Sequence, residues 1–134
     1  MAQDLFGAGW FEKLEGLAAA LRAVHKSLID STKREYEVRH GRIQGPYALL
    51  ALVAQDPAFA WIQPMTRAIV EIEDRLGPKA PPVLFADYRW AQESVRTLLD
   101  PAGTDFGRAY WARIDIDAHV AVEHGRLQIH LRES

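Results

Sequence analysis

Cysteine is absent from these 134 residues. That excludes disulfides, thiolate metal sites and cysteine nucleophiles, and says little about the compartment. No run approaches the roughly 20 apolar residues that span a bilayer. The start, M-A-Q-D-L-F-G-A-G-W-F-E-K, has neither a basic n-region nor an apolar stretch of signal length, so the cytoplasm is the expected location. A dominant charge is missing too. The net charge is −2 and the pI about 6.2, which leaves no overall basic field for nucleic acid and no acidic tail. Lys33, Arg34, Arg39 and Arg42 cluster locally, but Glu35 and Glu37 interrupt them, as on a solvated helix face. Neither G-x-S-x-G nor a P-loop occurs, and the G-A-G near the start has no strand before it.

What is present is a globular balance of 49% hydrophobic and 25% charged residues. The length fits one domain, 1–134, with a real core. The most ordered pattern is Leu14 to Gly41. At 100° per residue, Leu14, Leu17, Leu21, Val24, His25, Leu28, Thr32 and Tyr36 share one face. Glu12, Glu15, Arg22, Lys26, Asp30, Lys33 and Glu37 take the other, and Gly41 is a stop signal. The spacing predicts an amphipathic helix of roughly 40 Å. Its apolar stripe turns polar midway, where Thr32, Glu35, Tyr36, Arg39 and His40 replace leucine and valine. A purely packed helix has no reason to do so, and this end draws attention as a binding site.

Before that helix, Asp4 to Trp10, with Phe6, reads as an aromatic arm lying against the rest. After it, R-I-Q-G-P is a turn, and Tyr47 to Ala54, apolar on every side, predicts a short, central, buried helix. Asp56-Pro57 ends it and can cap the next segment. Pro64 fits the first turn of another helix, with Phe59 and Trp61 in an irregular lead-in; a helix kinked through Pro64 is the alternative. Met65, Ala68, Ile69, Ile72 and Leu76 form one helical face. Beyond the stiff G-P-K-A-P-P loop, Leu84, Tyr88, Ala91, Val95 and Leu98 form another, with Trp90 pointing outward. Thr104 or Asp105 can cap a helix from Phe106 to Arg113.

The tail is ambiguous. Ile114, Ile116, Ala118, Val120 and Val122 alternate, as do Leu127, Ile129 and Leu131, which reads as a hairpin about His124-Gly125. The helical reading places Ile116, Val120, His124, Leu127 and Leu131 on one face, capped by Asp117. No other segment offers a strand, and an isolated hairpin is marginal, so the helix is preferred. The fold class expected is all-α: an antiparallel bundle of four long helices with one or two short inserted helices.

V-H-K-S-L-I-D (Val24 to Asp30), Y-E-V-R-H-G (Tyr36 to Gly41) and D-P-A-F-A-W-I-Q-P (Asp56 to Pro64) resemble a family of small, uncharacterised bacterial proteins. These carry H-K-x-L-x-D, Y-E-x-x-H-G and D-P-x-F-A-W-x-x-P segments in the same order. F-G-R-A-Y (Phe106 to Tyr110), Val120 and His124 also fit. The resemblance implies a helical tail and brings no activity with it.

The ligand-binding candidates are His25, Thr32, Glu35, Tyr36, Arg39, His40, Trp61 and His124. His25, within the leucine stripe, reads first as a packed histidine bonded to a neighbouring helix, and otherwise as a polar handle in an apolar pocket. Thr32, Tyr36 and His40 recur at i, i+4 and i+8, either as a buried polar network or as a site where Arg39 offers a guanidinium to an anion. Glu37 and His40 form a lone E-x-x-H pair, whereas a di-iron bundle needs two. His25 and His40 stand roughly 22 Å apart on one helix and cannot share an ion. A mononuclear site requires His25 or His40 to meet His124, with Glu35 or Glu123 as the carboxylate. No metal and no cofactor is expected. The reading favoured is a non-enzymatic helical module that forms a homodimer, with neither nucleic acid nor membrane as partner. A small-molecule or metal-binding bundle near Tyr36, His40 and His124 is the alternative.

Overall fold

In the computed structural model, residues 9–132 are described, and among them every regular element is a helix. They are α1 (Gly9–His40), α2 (Pro46–Gln55), α3 (Pro57–Ala60), α4 (Gln63–Asp74), α5 (Phe85–Leu99), α6 (Asp105–Ile116) and α7 (Ala118–Arg132). The tail is therefore helical on both sides of Gly125. Asp117 starts it as expected, its carboxylate accepting from the His119 and Val120 amides at 3.0 and 3.4 Å.

The 32-residue α1 is the axis of the molecule. Leu14, Leu17, Leu21, Val24 and Leu28 are fully buried, as their spacing predicts. Helix α7 runs antiparallel along it. Arg34 meets Asp117 at 2.7 Å near one end, and Gly16 lies under the His130 ring near the other. Helix α4 is antiparallel to α1 as well, held by Arg22–Glu73 at 2.8 Å and His25–Thr66 at 2.8 Å. Val120, Leu127 and Leu131 of α7, Met65, Ile69 and Ile72 of α4, and Tyr88, Ala91 and Val95 of α5 complete the core.

Several inferred details need correction. Gly9 and Trp10 belong to α1, with Trp10 buried against Phe85 and Tyr88, ring centres 5.0 and 5.8 Å away; Asp4 to Ala8 of the supposed arm, Phe6 among them, lie outside the described residues. Leu84 is 40% exposed, because helix α5 starts after it; Leu98 packs partly buried against the core and Leu99 is buried beside it. Ile116 ends α6 and is exposed. Trp90 is half-buried, its ring covered by the Arg75 guanidinium 3.7 Å from its centre. The largest departure is α2. It is helical where expected, but not one of its residues is buried.

Pro57 and Pro64 occupy helix first turns, where a missing N–H costs nothing. Asp56 caps α3 by accepting from the Ala58 amide at 2.8 Å. The lead-in around Phe59 is thus a single helical turn, with Phe59 fully buried. At the α5–α6 joint, Thr104 accepts from the Gly107 amide at 2.7 Å and donates to the Leu98 carbonyl at 3.0 Å. A Cβ on Gly107 would sit 2.2 Å from the Asp100 carbonyl oxygen, so only glycine lets the two helices close here.

Replacing that glycine tests the joint directly. Gly107→Ala forces backbone against backbone, and a loss of about 1–3 kcal/mol, typical of overpacking, is expected in urea unfolding. An unchanged midpoint would mean that the joint opens freely.

Candidate functional site

The far end of α1 rises past its covering helices. Asp117 bonds Arg34, so α7 begins about six residues short of His40, or about 9 Å at helical rise. Among the described residues the Gly41–Gly45 turn, α2 and the start of α3 with Phe59 lie beside this overhang. Gly41 and Gly45 both adopt positive φ, 85° and 90°, which other residues rarely adopt. Glu37 reaches forward to accept from the Ile43 amide at 2.8 Å, tying the turn to α1. Between α1 and α2 this leaves an open cleft of about 550 Å³.

One wall is aromatic. The Tyr36 and His40 rings lie 4.4 Å apart, and Tyr36 also meets Phe59 at 6.0 Å. The other wall is α2, through Ala48, Ala51, Leu52 and Gln55. Tyr36 is half-buried while His40 and Arg39 are exposed. Behind them the buried Thr32 hydroxyl has no hydrogen-bond partner.

The other candidates are dispersed. Glu35 turns to the opposite side, where Arg113 bonds it at 3.2 Å and Ser31 at 3.3 Å. The same guanidinium lies 5.6 Å from the Trp61 ring centre, so Arg113 joins Glu35 to Trp61. Nothing in the sequence marked Arg113 beyond its place near the end of a helix. His25 donates to or accepts from Thr66 on α4, the packed arrangement given first. His124 is a further case. The antiparallel register places it level with the middle of α1, about 24 Å along the axis from His40. A site combining Tyr36 or His40 with His124 is therefore not formed. Among the described residues no three of His, Asp and Glu converge as a metal site, and Glu37 and Glu35 face the contacts just described.

His124 has a full environment of its own. Its Nδ1 lies 2.7 Å from the Tyr110 hydroxyl, its Nε2 lies 3.2 Å from the Gln128 amide, and Trp111 packs edge-on at 4.7 Å. Trp61, Phe106 and Tyr110 continue this column as stacked rings, each pair 5.8 Å apart. Burial pushes the His124 imidazole below its usual range and the Tyr110 phenol well above its own. Both shifts oppose proton transfer from phenol to imidazole. The pair joins α6 to α7 as two neutral partners. Sequence reading found His124 but missed Tyr110, which sits 14 residues earlier with no periodic link to it.

No protein-family model matches the chain, and no curated protein or solved structure matches it either.

Stability should carry the mark of these buried rings. His25 and His124 are both held below 6.5 by burial. The unfolded chain then binds protons that the folded chain refuses, so stability is full above about pH 6.5 and falls as the pH drops below it. Asp117 adds a second, lower window. Burial pushes its carboxyl up, but hydrogen bonds from Ser31, the Val120 amide and Arg34, with the Arg34 charge, outweigh that and hold it below 3.8. Denaturation midpoints measured from pH 8 to 5 should decline, and His124→Gln should flatten the decline. A profile unchanged by that substitution would show that His124 titrates freely in the folded state.

Proposed function

We propose that this protein is a non-enzymatic helical module that acts by self-association, with α2 as its contact element. The observation that carries this reading is the exposure of α2. Its ten residues, P-Y-A-L-L-A-L-V-A-Q, include no charge, yet Tyr47 is 87% and Leu50 65% exposed. Leu49, Leu52 and Val53 face the core and are partly covered. Tyr47, Leu50, Ala51 and Ala54 form the opposite, outward stripe. A surface helix that only had to face water would carry charged residues there. Contiguous exposed apolar surface of this kind marks interaction sites.

The rest of the molecule suits a scaffold for that element. On this reading α1, α4, α5 and α7 constitute an antiparallel four-helix bundle, with α2, α3 and α6 as insertions. The dispersal of His25, Glu35 and His124 into interhelical contacts supports a structural role for them. A second reading is favoured by the cleft itself. Its stacked Tyr36–His40 pair faces an apolar wall and would suit a flat, mostly apolar small molecule, with Arg42 at the rim.

Sedimentation between 10 µM and 1 mM (about these limits, set to bracket weak association) tests the first reading. The expected result is a mass that rises from 15.1 kDa toward twice that value. Leu50→Asp should hold the protein at the lower mass without loss of helicity, because the position is exposed. A constant monomer mass throughout would remove self-association and leave the cleft reading.

A further inference from the structure

We infer that two copies pair through α2 in an antiparallel, two-fold seam with a defined register: Tyr47 against Ala54 of the other copy, and Leu50 against Ala51. This rests on the self-association reading and adds which residues meet.

The stripe is self-complementary in size. Along the outward face the order is Tyr47, Leu50, Ala51, Ala54, at i, i+3, i+4 and i+7, large residues first and small ones last. A two-fold axis passing between Leu50 and Ala51 reverses that order on the facing helix. Each large side chain then lies over a small one, and both helices can approach closely. A parallel pairing sets Tyr47 on Tyr47 and leaves Ala54 on Ala54, which gives a wedge. Antiparallel α2 helices also set each dipole against its opposite.

Charge points the same way. A two-fold axis brings the residues beside it near their own copies, so a charged side chain close to the axis meets its like. Helix α2 has none. Another exposed apolar pair is on α7, where Val122 and Ile129 are 51% and 55% exposed. There Arg126 lies on the same exposed side, and a two-fold axis through that stripe would bring it toward its own copy. Partners of strong charge find no counter-charge on α2 either. A second copy is the occupant that fits.

Size sets the strength. Helix α2 is about 15 Å long, so the seam alone falls short of the roughly 1,200 Å² at the low end of stable interfaces. The dimer is therefore weak and concentration-dependent. Ala51 also lines the cleft, so the seam closes one of its lips.

Because the chain has no cysteine, one engineered thiol is the only thiol present. Leu50→Cys and Ala51→Cys, next to the axis, should form disulfide-linked dimers under mild oxidation. Tyr47→Cys and Ala54→Cys should each fail alone and succeed together in one chain. In sedimentation, Leu50→Ala and Ala51→Leu should each weaken pairing by about tenfold, a loss typical of an interface anchor. Combined, they exchange large for small and should recover most of the affinity. Circular dichroism checks that each variant stays helical. A monomer mass at all concentrations overturns both the seam and self-association. A dimer that tolerates Leu50→Asp overturns the seam alone. Self-linking of Tyr47→Cys as readily as Ala51→Cys overturns the antiparallel register. Protection of residue 50 only by anionic lipid vesicles makes a membrane surface the occupant and overturns the proposal.

Discussion

A mismatch of length governs this structure. Helix α1 has 32 residues, while the helices that cover it have 12 to 15. An apolar stripe must be buried wherever it continues, and the covering helices reach only as far as about residue 34 on α7's side. The sequence of α1 is consistent with this limit. Its stripe is leucine and valine as far as Leu28, then Thr32, still buried, and Tyr36 and His40 beyond the reach of α7. The polar turn in the stripe is thus first a response to the edge of the core. The cleft beside it arises from the same edge, because α2 stands alongside the overhang without sealing it.

Where helices do meet, neutral polar pairs and ion pairs both mark the register. Thr66 on His25 and Tyr110 on His124 are placed within the packed layers, where an unpaired group is costly. The ion pairs lie farther out. Arg22–Glu73 has both side chains nearly half exposed and contributes little net stability. Arg34–Asp117 is more sheltered on the acid's side and coincides with the start of α7. That coincidence matters, because it determines which part of α1 lies opposite His124.

The helix positions were legible in the sequence, and their surroundings were less so. Periodicity placed α1, α4, α5 and α7 because one face of each differs from the other, and capping residues such as Asp56, Thr104 and Asp117 marked starts. The alternating tail showed both periods, and the missing strand partner decided correctly for helix. Helix α2 was read as central because a uniformly apolar segment gives no direction for burial. Whether such a helix is buried depends on whether the rest of the chain can enclose it, which is a property of the assembled surface. The grouping of His40 with His124 failed for a similar reason. Face assignments say which side a residue occupies, but the longitudinal register between α1 and α7 comes from contacts such as Arg34–Asp117. His25 was legible because its neighbours in sequence were already apolar.

An exposed apolar helix has to be weighed against the cost of covering it. Burying a large apolar side chain contributes about 1.5–3 kcal/mol. Two copies each of Tyr47 and Leu50 would then contribute about 6–12 kcal/mol in a symmetric pair. The lost freedom of two molecules costs about 4–15 kcal/mol. These magnitudes overlap, so a pair formed as proposed would be poised near balance, with concentration deciding which state is populated. Two alanines in the outward stripe keep the apolar surface small. A longer apolar helix would drive permanent association, and a single charge would abolish it. The sequence of α2 lies between those outcomes, which is the condition for reversible pairing.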